Sequence, residues 1–472
     1  MSFLFLKRST NKLFIMAISL GLVLTACPDK PTIPASFATL IDSGSGQASS
    51  PSFDVDLQGN AMVVWQQNDG TANRIYANRS LGSSRTWQGA TVIDAGATNS
   101  TFTATSPKVA LDAQGNATSV WVQILGGYSR VYANQFNATS ESWGTPTLID
   151  AGPTDAVQAT LTVDAQGFAT AAWIQVDPKG EEHLFSNRRN PNTGMWEGAD
   201  RIDVLTSATD QFDGLNSRKP IIRSDALGNV VVLWLEYKLG NADGGWHLFI
   251  NRREHTQSVW TTPKTIDSNS QTNNQPTYHQ LAFDSKGNAM VVWLQEAGVV
   301  STQLRIWANS FDIQTLIWKG AEAIDDLQPF VGRPQVAFES NGQAIAVWNR
   351  QDKIIANRFN SSNKTWDAAK IIYTKPSIDL LAPGITFNNS NQARIIWFEN
   401  IRSNSVSSND YQLSIASLAN DSFLLGVPTN IQQGRFFSEQ APTLKVLPQN
   451  EFFTAFDQQD QKTTRIYAAR LQ

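Results

Sequence analysis

The chain has 472 residues, with 37 Lys+Arg against 41 Asp+Glu, a formal net charge of −4 and a hydrophobic fraction of 41%. This charge balance excludes the strongly basic surface of a nucleic-acid-binding protein, and the apolar content excludes a disordered chain. The single Cys excludes an internal disulfide framework and any multi-cysteine metal site.

The first 26 residues have the pattern of a secretion signal. A short basic region precedes an apolar stretch from Leu13 to Ala26. A membrane-spanning helix needs about 20 apolar residues, so a stretch of this length favours the core of a signal peptide. An ordinary secretory signal and a lipoprotein signal are the two alternatives, and the residues around the cleavage point distinguish them.

The segment Leu24-Thr25-Ala26-Cys27 resembles the lipobox of bacterial lipoproteins. The resemblance implies cleavage before Cys27 and acylation of that residue, which would anchor the chain durably to a lipid bilayer. Pro28 follows the cysteine where the inner-membrane retention signal of the best-known lipoproteins has Asp, so the pattern favours the outer membrane. We therefore expect a cell-envelope protein, and the side of the membrane stays open.

Three parts of the chain are expected. Residues 1–26 form the lipoprotein signal peptide, and residues 27–37, rich in Pro and polar residues, form a lipidated tether. Residues 38–472 form the folded domain.

The folded part consists of one sequence unit repeated about every 56 residues. The unit SPKVALDAQGNATSVWVQ, followed by RVYANQF, a Trp and TLID, recurs with the same order of parts along the whole domain. Of the 15 Trp, 13 occupy two positions of the repeat. The anchors of the repeats are Pro51, Pro107, Thr160, Pro220, Pro276, Pro334, Pro383 and Pro442.

Each repeat predicts four short strands, A to D. Strand A follows the anchor and ends in an Asp-x-x-Gly-Asn turn, such as Asp56 to Asn60. Asp can cap this turn, and Gly supplies the positive φ that it needs. Strand B is apolar on both faces and ends in the first Trp, so both of its faces must be covered; these first Trp residues are predicted to be core.

Four-stranded antiparallel sheets that are covered on both faces are typical of the blades of a β-propeller. The last repeat ends after strand C, and its missing strand D matches the segment ATLID at residues 38–42. We therefore predict an all-β, eight-bladed β-propeller whose last blade is closed by the N-terminal strand. Seven blades are the alternative, because the last two repeats are degenerate.

Two propeller families share features of this repeat. The strand A–turn–strand B pattern resembles that of NHL-type propellers, and Asn192-Thr193-Gly194-Met195-Trp196 is similar to the Asp-box of sialidase-like propellers. The Asp and Gly of that box are missing from most other repeats. In architecture the chain also resembles the lipid-anchored propeller of the outer-membrane barrel-assembly machinery, with a different repeat motif. These resemblances imply a fold, and a fold alone does not determine a function.

No set of residues predicts catalysis, a metal site or a cofactor. Glu236 and Glu399 are candidates for glycoside hydrolysis by position only. The four His have no metal-ligand spacing; His183 and His247 occupy the strand C position of Arg74 and are interpreted as structural. The Asp that ends each strand D is interpreted as a turn cap. The polar residues two positions after the first Trp, mostly Gln, are interpreted as structural partners of loop backbone.

A binding site is expected where the longest loops of one face meet. The D–A loop from Val204 to Lys219 and the B–C loop from Tyr237 to Gly245 are longer than most of their equivalents. Loops on a rigid scaffold commonly carry function. The expected site residues are Glu236, Tyr237, Lys238, Asp243, Trp246, Asp210 and Asp213.

The sequence thus favours a monomeric, lipid-anchored binding or scaffold module of the cell envelope, without catalysis. Its partners would be the lipid bilayer, through the acylated Cys27, and a protein or a glycan, with no nucleic acid and no cofactor. A sialidase-like glycan-active enzyme or lectin is the alternative.

Overall fold

The computed structural model describes residues 38–44, 46–94, 96, 103–204, 211–212, 218–239, 245–267, 275–296, 303–326, 329, 331–400, 410–419, 423–436, 442–460 and 462–471. This part of the chain is all-β and contains no helix, and all of it belongs to the compact unit Phe37–Gln472. The predicted signal peptide, Cys27 and tether lie outside the described residues. No helix that could cross a membrane was found in the described ranges.

Strands A and B of each repeat form a hairpin; all strands are numbered in chain order. The A strands are β2 (Ala48–Val55), β6 (Ala104–Leu111), β11 (Ala156–Val163), β16 (Arg218–Ser224), β20 (Thr277–Phe283), β25 (Gln335–Phe338), β30 (Leu380–Phe387) and β34 (Lys445–Val446). The B strands are β3 (Ala61–Asn68), β7 (Ala117–Leu125), β12 (Ala169–Val176), β17 (Val230–Leu239), β21 (Ala289–Glu296), β26 (Ala344–Arg350), β31 (Ala393–Asn400) and β35 (Phe452–Asp460).

Strands C and D complete each sheet. The C strands are β4 (Asn73–Ser80), β8 (Tyr128–Asn137), β13 (Glu182–Arg189), β18 (Gly245–Arg253), β22 (Leu304–Asp312), β27 (Lys353–Asn360), β32 (Asp410–Leu418) and β36 (Thr463–Leu471). The D strands are β1 (Ala38–Leu40), β5 (Thr91–Val92), β10 (Thr147–Leu148), β14 (Asp200–Arg201), β19 (Lys264–Thr265), β24 (Glu322–Ala323), β29 (Lys370–Thr374) and β33 (Thr429–Phe436). Four short strands accompany them: β9 (Ser142–Trp143), β15 (Gln211–Phe212), β23 (Ile317–Trp318) and β28 (Thr365–Trp366).

The sheets are antiparallel with the order A–B–C–D, as in β2-β3-β4-β5. Six of the sheets in the described part each contain one repeat. The last two repeats share an eight-stranded sheet, because β33 also pairs with β35. In that sheet β1 pairs with β36, with Ala38 opposite Ala469, so the first described strand is hydrogen-bonded to the last one.

The turn between strands A and B has the predicted chemistry. Oδ1 of Asp56 accepts the backbone N–H of Gln58 at 2.9 Å and that of Asn60 at 2.8 Å. Gly59 has φ of 79°, a conformation that a glycine adopts without steric cost. Oδ1 of Asn60 in turn accepts the N–H of Gly82 at 2.9 Å, which connects this turn to the segment after strand C.

In the first, second, fourth and seventh repeats strand A begins before its proline, not after it, and contains a bulge, whereas β25 and β34 begin after theirs. In β2 the register shifts between Ser49 and Ser52, and Ser50 has φ of 55°. Proline is tolerated at such a bulge because the ladder is interrupted there. The corresponding bulges in the third and fifth repeats move the anchor positions from Thr160 to Ala159 and from Pro276 to His279.

The core lies between neighbouring sheets and is centred on the first Trp of each repeat. Trp121, for example, belongs to one cluster with Val64 and Ile75 of the preceding repeat. The second Trp of each repeat is only half-buried and lies opposite the end of strand C, as Trp143 lies opposite Phe136. The fully buried first Trp residues, at 0% exposure, are Trp65, Trp121, Trp173, Trp234, Trp293, Trp348 and Trp397.

Candidate functional site

A buried polar side chain follows the first Trp of most repeats, two residues later on strand B. In the first repeat the Nε1–H of Trp65 donates to Oε1 of Gln67 at 2.9 Å, and Gln67 is 1% exposed. The predicted bond to loop backbone is also present, since Nε2 of Gln175 donates to the carbonyl of Gly152 at 3.2 Å. The same bond from the indole is made by Trp121 to Gln123, Trp173 to Gln175, Trp234 to Glu236, Trp293 to Gln295 and Trp397 to Glu399.

Two repeats depart from this pairing in complementary ways. In the sixth repeat Arg350 occupies the acceptor position, and Nε1 of Trp348 has no hydrogen-bond partner among the described residues. In the last repeat Phe456 replaces the Trp, and Oε1 of Gln458 has no hydrogen-bond partner among the described residues. The buried glutamines therefore accept hydrogen bonds from the indoles, which is a structural role.

The Asp at the end of strand D is a buried ion-pair partner of strand C. Asp94 has a side chain with 0% exposure, accepts two bonds from Nε and one from Nη2 of Arg74, and accepts the N–H of Ile75 at 2.8 Å. Its hydrogen bond raises the pKa of Arg74. The turn-cap interpretation is confirmed in part, since Oδ1 of Asp94 also accepts the N–H of Gly96 at 3.0 Å, but the main partner is a cation twenty residues earlier. Equivalent pairs are Arg130–Asp150, Arg305–Asp325 and Arg465–Asp42.

Part of the predicted binding site lies on the β17–β18 hairpin of the fourth repeat. Tyr237 is opposite Trp246, and their half-buried rings form a T-shaped contact with centroids 5.9 Å apart and planes at 86°. Asp210, Asp213 and Asp243 lie outside the described residues. The structure thus brings two of the predicted aromatic residues together.

Glu236, also predicted for this site, is a framework residue. Its side chain is 0% exposed, and its Oε2 accepts the Nε1–H of Trp234 at 2.7 Å. Successive side chains of a strand point to opposite faces of the sheet, so Glu236 does not share the face of Tyr237. Lys238 is half-buried and lies one residue beyond the aromatic pair. The expectation that Glu236 contacts a ligand directly is corrected by its burial.

The two long loops of the sequence prediction are partly strands. β17 continues to Leu239 and β18 begins at Gly245, so the B–C connection is an extended hairpin. The D–A connection contains β15, which pairs with the end of β17 and puts Phe212 opposite Lys238. The two segments therefore do meet, as a sheet edge with main-chain hydrogen bonds.

Glu399, the other carboxylate considered for glycoside hydrolysis, is also committed to structural contacts. It is 1% exposed, and its Oε1 accepts the indole N–H of Trp397 at 3.0 Å. Its Oε2 forms an ion pair with Lys375 and accepts Nε2 of Gln412 at 3.0 Å. Both carboxylates are thus buried and accept hydrogen bonds from core indoles.

Surface clefts occur beside the half-buried second Trp residues. One cleft of about 370 Å³ is lined by Arg201, Asn251 and Trp260, and another of about 410 Å³ by Asn78, Arg79 and Trp143. Both lie along strands C and D of adjacent repeats. Most of their lining residues belong to the repeated framework.

Strand A side chains from different repeats carry an excess of positive charge. Lys445 forms an ion pair with Asp54 at 3.0 Å. Desolvation lowers the pKa of Lys108, and the positive charge of Arg223 lowers it further. These residues come from four different A strands.

One group of ionisable residues was missed by the sequence analysis. His183 takes the place of the strand C arginine, and its Nδ1 lies 3.2 Å from Oδ2 of Asp203. The interpretation of His183 as structural accounts for that nitrogen only. Its Nε2 faces Asp177 and Glu181, which come from the B–C turn. Asp177 precedes His183 by six positions, and a search limited to His and Cys does not detect this spacing.

No protein-family model matches the chain, and no curated protein matches it. Among solved structures it is similar to the α-L-arabinofuranosidase Arb93A from Fusarium graminearum, with a TM-score of 0.47 and 10% identity over 93% of this chain and 98% of that one. It is similar to an ulvan lyase of polysaccharide lyase family PL25, with a TM-score of 0.46 and 9% identity over 76% of this chain and 91% of that one. A third is the NanB sialidase from Streptococcus pneumoniae, with a TM-score of 0.38 and 10% identity over 76% of this chain and 67% of that one. At TM-scores below 0.5, the function of the chain has to be argued from its own contacts.

Proposed function

We propose that the chain is a β-propeller binding module of the bacterial cell envelope, which holds a glycan at the aromatic edge of its fourth repeat without transforming it. The single observation that carries the binding role is the Tyr237–Trp246 ring pair, at 5.9 Å between centroids, on an extended hairpin. The architecture, the anchoring and the ligand class each have separate support.

An eight-bladed ring accounts for the contacts between repeats. Each strand A contacts strand A of the next repeat: β2 contacts β6, β6 contacts β11, and the series continues through β16, β20, β25, β30 and β34. β34 contacts β2, so the series returns to its first member. The pairing of β1 with β36 supports closure of the last blade by the N-terminal strand, and full closure avoids exposed sheet edges.

Anchoring in the envelope is supported by the lipobox-like segment that ends at Cys27. The mature chain would then be held on a membrane, with preference for the outer one, by acyl groups on that residue. The variant Cys27→Ser should appear in the soluble envelope fraction, without incorporated palmitate. Membrane association that survives a salt wash in this variant would contradict the anchoring.

The hairpin of the fourth repeat differs from its equivalents in the way a binding edge would. β17 has 10 residues, against 7 to 9 in the other B strands, so it is the longest of them. Aromatic rings supply large apolar faces on which the C–H groups of a sugar can pack. Trp246 is outside both repeated Trp positions, and its half-buried ring also packs against the core cluster that contains Trp293.

Binding without turnover is favoured over catalysis because the candidate carboxylates have structural partners. Glu236 and Glu399 both accept indole N–H groups in the core. A glycan-active enzyme remains the second candidate function, and a protein partner is the second candidate ligand.

The proposal is tested by incubating the purified chain with a glycan array that includes peptidoglycan fragments, lipopolysaccharide chains and sialylated oligosaccharides. We expect retention of one glycan class, with no change in the mass of the glycan after prolonged incubation. Release of a shorter or unsaturated product would establish an enzyme instead. No binding to any glycan would contradict the proposed ligand class and favour a protein partner.

A further inference from the structure

The B–C turn of the third repeat gathers three possible metal ligands around a buried imidazole. Nε2 of His183 lies 3.7 Å from Oδ2 of Asp177 and 3.6 Å from Oε2 of Glu181, and the ligand atoms of all three residues lie within 4.8 Å of one another. His183 is 3% exposed, and its Nε2 has no hydrogen-bond partner among the described residues. A buried nitrogen that faces two carboxylates at more than hydrogen-bond distance leaves room for a cation between them.

The other side of the imidazole is already fixed by the framework. Nδ1 of His183 lies 3.2 Å from Oδ2 of Asp203, and Oδ1 of Asp203 accepts Nε of Arg201 at 2.6 Å. When Nδ1 carries the proton and donates it to Asp203, the lone pair of Nε2 is directed toward Asp177 and Glu181. A histidine that donates its second N–H to a carboxylate is the usual arrangement of a metal-bound imidazole.

In the first repeat an arginine side chain fills the position that the imidazole of His183 occupies in the third. There Arg74 occupies the strand C position, and its guanidinium lies between Asp94 and Asp69, with Nη1 at 3.4 Å from Oδ2 of Asp69. Asp69 is a B–C turn residue that caps backbone N–H groups, as Asp177 does. Replacement of the arginine by the shorter histidine therefore removes a cation from a place that keeps its acidic neighbours.

Backbone hydrogen bonds of the turn hold the carboxylate of Asp177 in position. Oδ1 of Asp177 accepts the N–H groups of Lys179 and Glu181, at 2.8 and 3.0 Å, so Oδ2 is the oxygen directed toward His183. These backbone bonds, that from Glu181 first, lower the pKa of Asp177. The side chains of Asp177 and Glu181 are 22% and 46% exposed, which gives an ion a path from solvent.

We infer that His183, Asp177 and Glu181 bind one divalent transition-metal ion, with Zn²⁺ as the representative ion. Tetrahedral Zn²⁺ with ligands at about 2.1 Å has ligand atoms about 3.4 Å apart, close to the separations from Nε2 found here. An imidazole ligand favours such ions over Ca²⁺ and Mg²⁺, which take oxygen ligands. Three protein ligands leave a fourth position for water or for a group of a bound partner.

The test is a titration of the purified chain with Zn²⁺ by calorimetry, in the Cys27→Ser background so that no thiol can bind the metal. We expect one Zn²⁺ per chain. The variant His183→Arg restores the arrangement of the first repeat and should keep the fold, which circular dichroism checks. It should lose far more affinity than the roughly 10–100-fold that loss of a second-shell partner costs.

Two further variants separate a metal site from a purely structural histidine. His247→Arg makes the same replacement in the next repeat and should leave the binding of Zn²⁺ unchanged. Glu181→Gln, at a partly exposed turn residue, should weaken binding without loss of folding, and it replaces His183→Arg if that variant does not fold. Absence of Zn²⁺ binding by the parent chain, or equal binding by all variants, would overturn the proposal and leave His183 as a buried ion-pair partner of the three carboxylates.

Discussion

The indole Nε1–H of Trp65 donates to Oε1 of Gln67, 2.9 Å away and two residues later on the same strand. The bond satisfies an N–H that would otherwise be buried without a partner between two sheets, and it fixes the side chain of the glutamine at the end of strand B. Because most repeats make it, the polar residues two positions after the first Trp are assigned to the framework and not to a ligand site.

This pairing predicts unequal effects of one substitution at two equivalent positions. Gln123→Met removes the acceptor of Trp121 and should lower the free energy of unfolding by about 1–3 kcal/mol, the cost of an unsatisfied buried polar group. Arg350→Met should cost less, since Trp348 has no acceptor among the described residues and the ion pair of Arg350 with the exposed Asp326 contributes at most about 1 kcal/mol. Urea unfolding of both variants measures the difference. Equal losses would mean that the indole bond contributes nothing to stability.

The buried ion pairs between strands C and D predict which of two variants at Arg130 is the more stable. Asp150 has a side chain with 0% exposure and lies 2.5 Å from Nη2 of Arg130. Arg130→Leu leaves this buried carboxylate without its cation and should lower the free energy of unfolding by about 3–5 kcal/mol. Arg130→His should cost clearly less, because the third and fourth repeats use histidine in this place. The free energies of unfolding of the two variants check the order, and an Arg130→Leu variant as stable as Arg130→His would contradict it.

These pairs also show which features of the fold can be predicted from the sequence and which cannot. Repetition alone predicts the strands, the turn at Asp56 and the burial of the first Trp residues, because such features depend on local pattern and on alternation. Arg74 and Asp94 recur twenty residues apart in the sequence, yet their contact depends on how strand C lies against the end of strand D. The bulge that puts His279 at the anchor position is likewise invisible, since one extra residue leaves the hydrophobic pattern almost unchanged.

The candidate site was predicted only in part for the same reason. Trp246 lies outside the repeated Trp positions and Tyr237 begins a long connection, and the structure makes the two residues direct neighbours. Glu236 belongs to the same sequence segment but to the other face of the strand, a distinction that depends on exact register. The contact of His183 with Asp177 and Glu181 needs the geometry of the turn, which spacing alone does not supply.

The pairing of β1 with β36 predicts that a short N-terminal deletion is costly. Removal of residues 38–42 eliminates this strand and the bond from Arg465 to Asp42, and it exposes the edge of β36. An unpaired edge is a template for aggregation. We expect a lower melting temperature or oligomers in size-exclusion chromatography. Deletion of residues 29–33, five residues of the expected tether, is the matched control and should change neither. An unchanged melting temperature after the first deletion would contradict closure by this strand.

His279 predicts a dependence of stability on pH. Burial lowers its pKa from 6.5 to about 4, and the bond from Nε2 to the carbonyl of Lys219 only partly opposes this. The unfolded chain therefore binds a proton that the folded chain does not, so its contribution to stability is complete above pH 6.5 and is lost as the pH falls toward 4. By pH 5 the total loss reaches about 2 kcal/mol, most of it between pH 6.5 and 5.

The variant His279→Pro isolates this contribution, because six other repeats have proline at the anchor position. Its free energy of unfolding should fall less steeply than that of the parent chain over the same interval, while the other histidines titrate in both proteins. Urea unfolding at pH 7, 6 and 5 gives the comparison. Parallel curves would show that His279 is protonated in the folded chain as easily as in the unfolded one.

The binding of a glycan at the fourth-repeat edge is tested by the effect of Trp246→Ala on the affinity for the glycan that the array identifies. Trp307→Phe is the control, since Trp307 is the other Trp outside the repeated positions and lies in β22 of the fifth repeat. We expect Trp246→Ala to weaken binding at least about 10-fold, as loss of an aromatic contact of 1.4 kcal/mol or more would, and Trp307→Phe to bind normally. Both rings also pack against the same core cluster, so both variants should lower the melting temperature, and a loss of affinity confined to Trp246→Ala reports on binding. Equal affinities of parent chain and Trp246→Ala would contradict the claim that the fourth-repeat edge is the binding site.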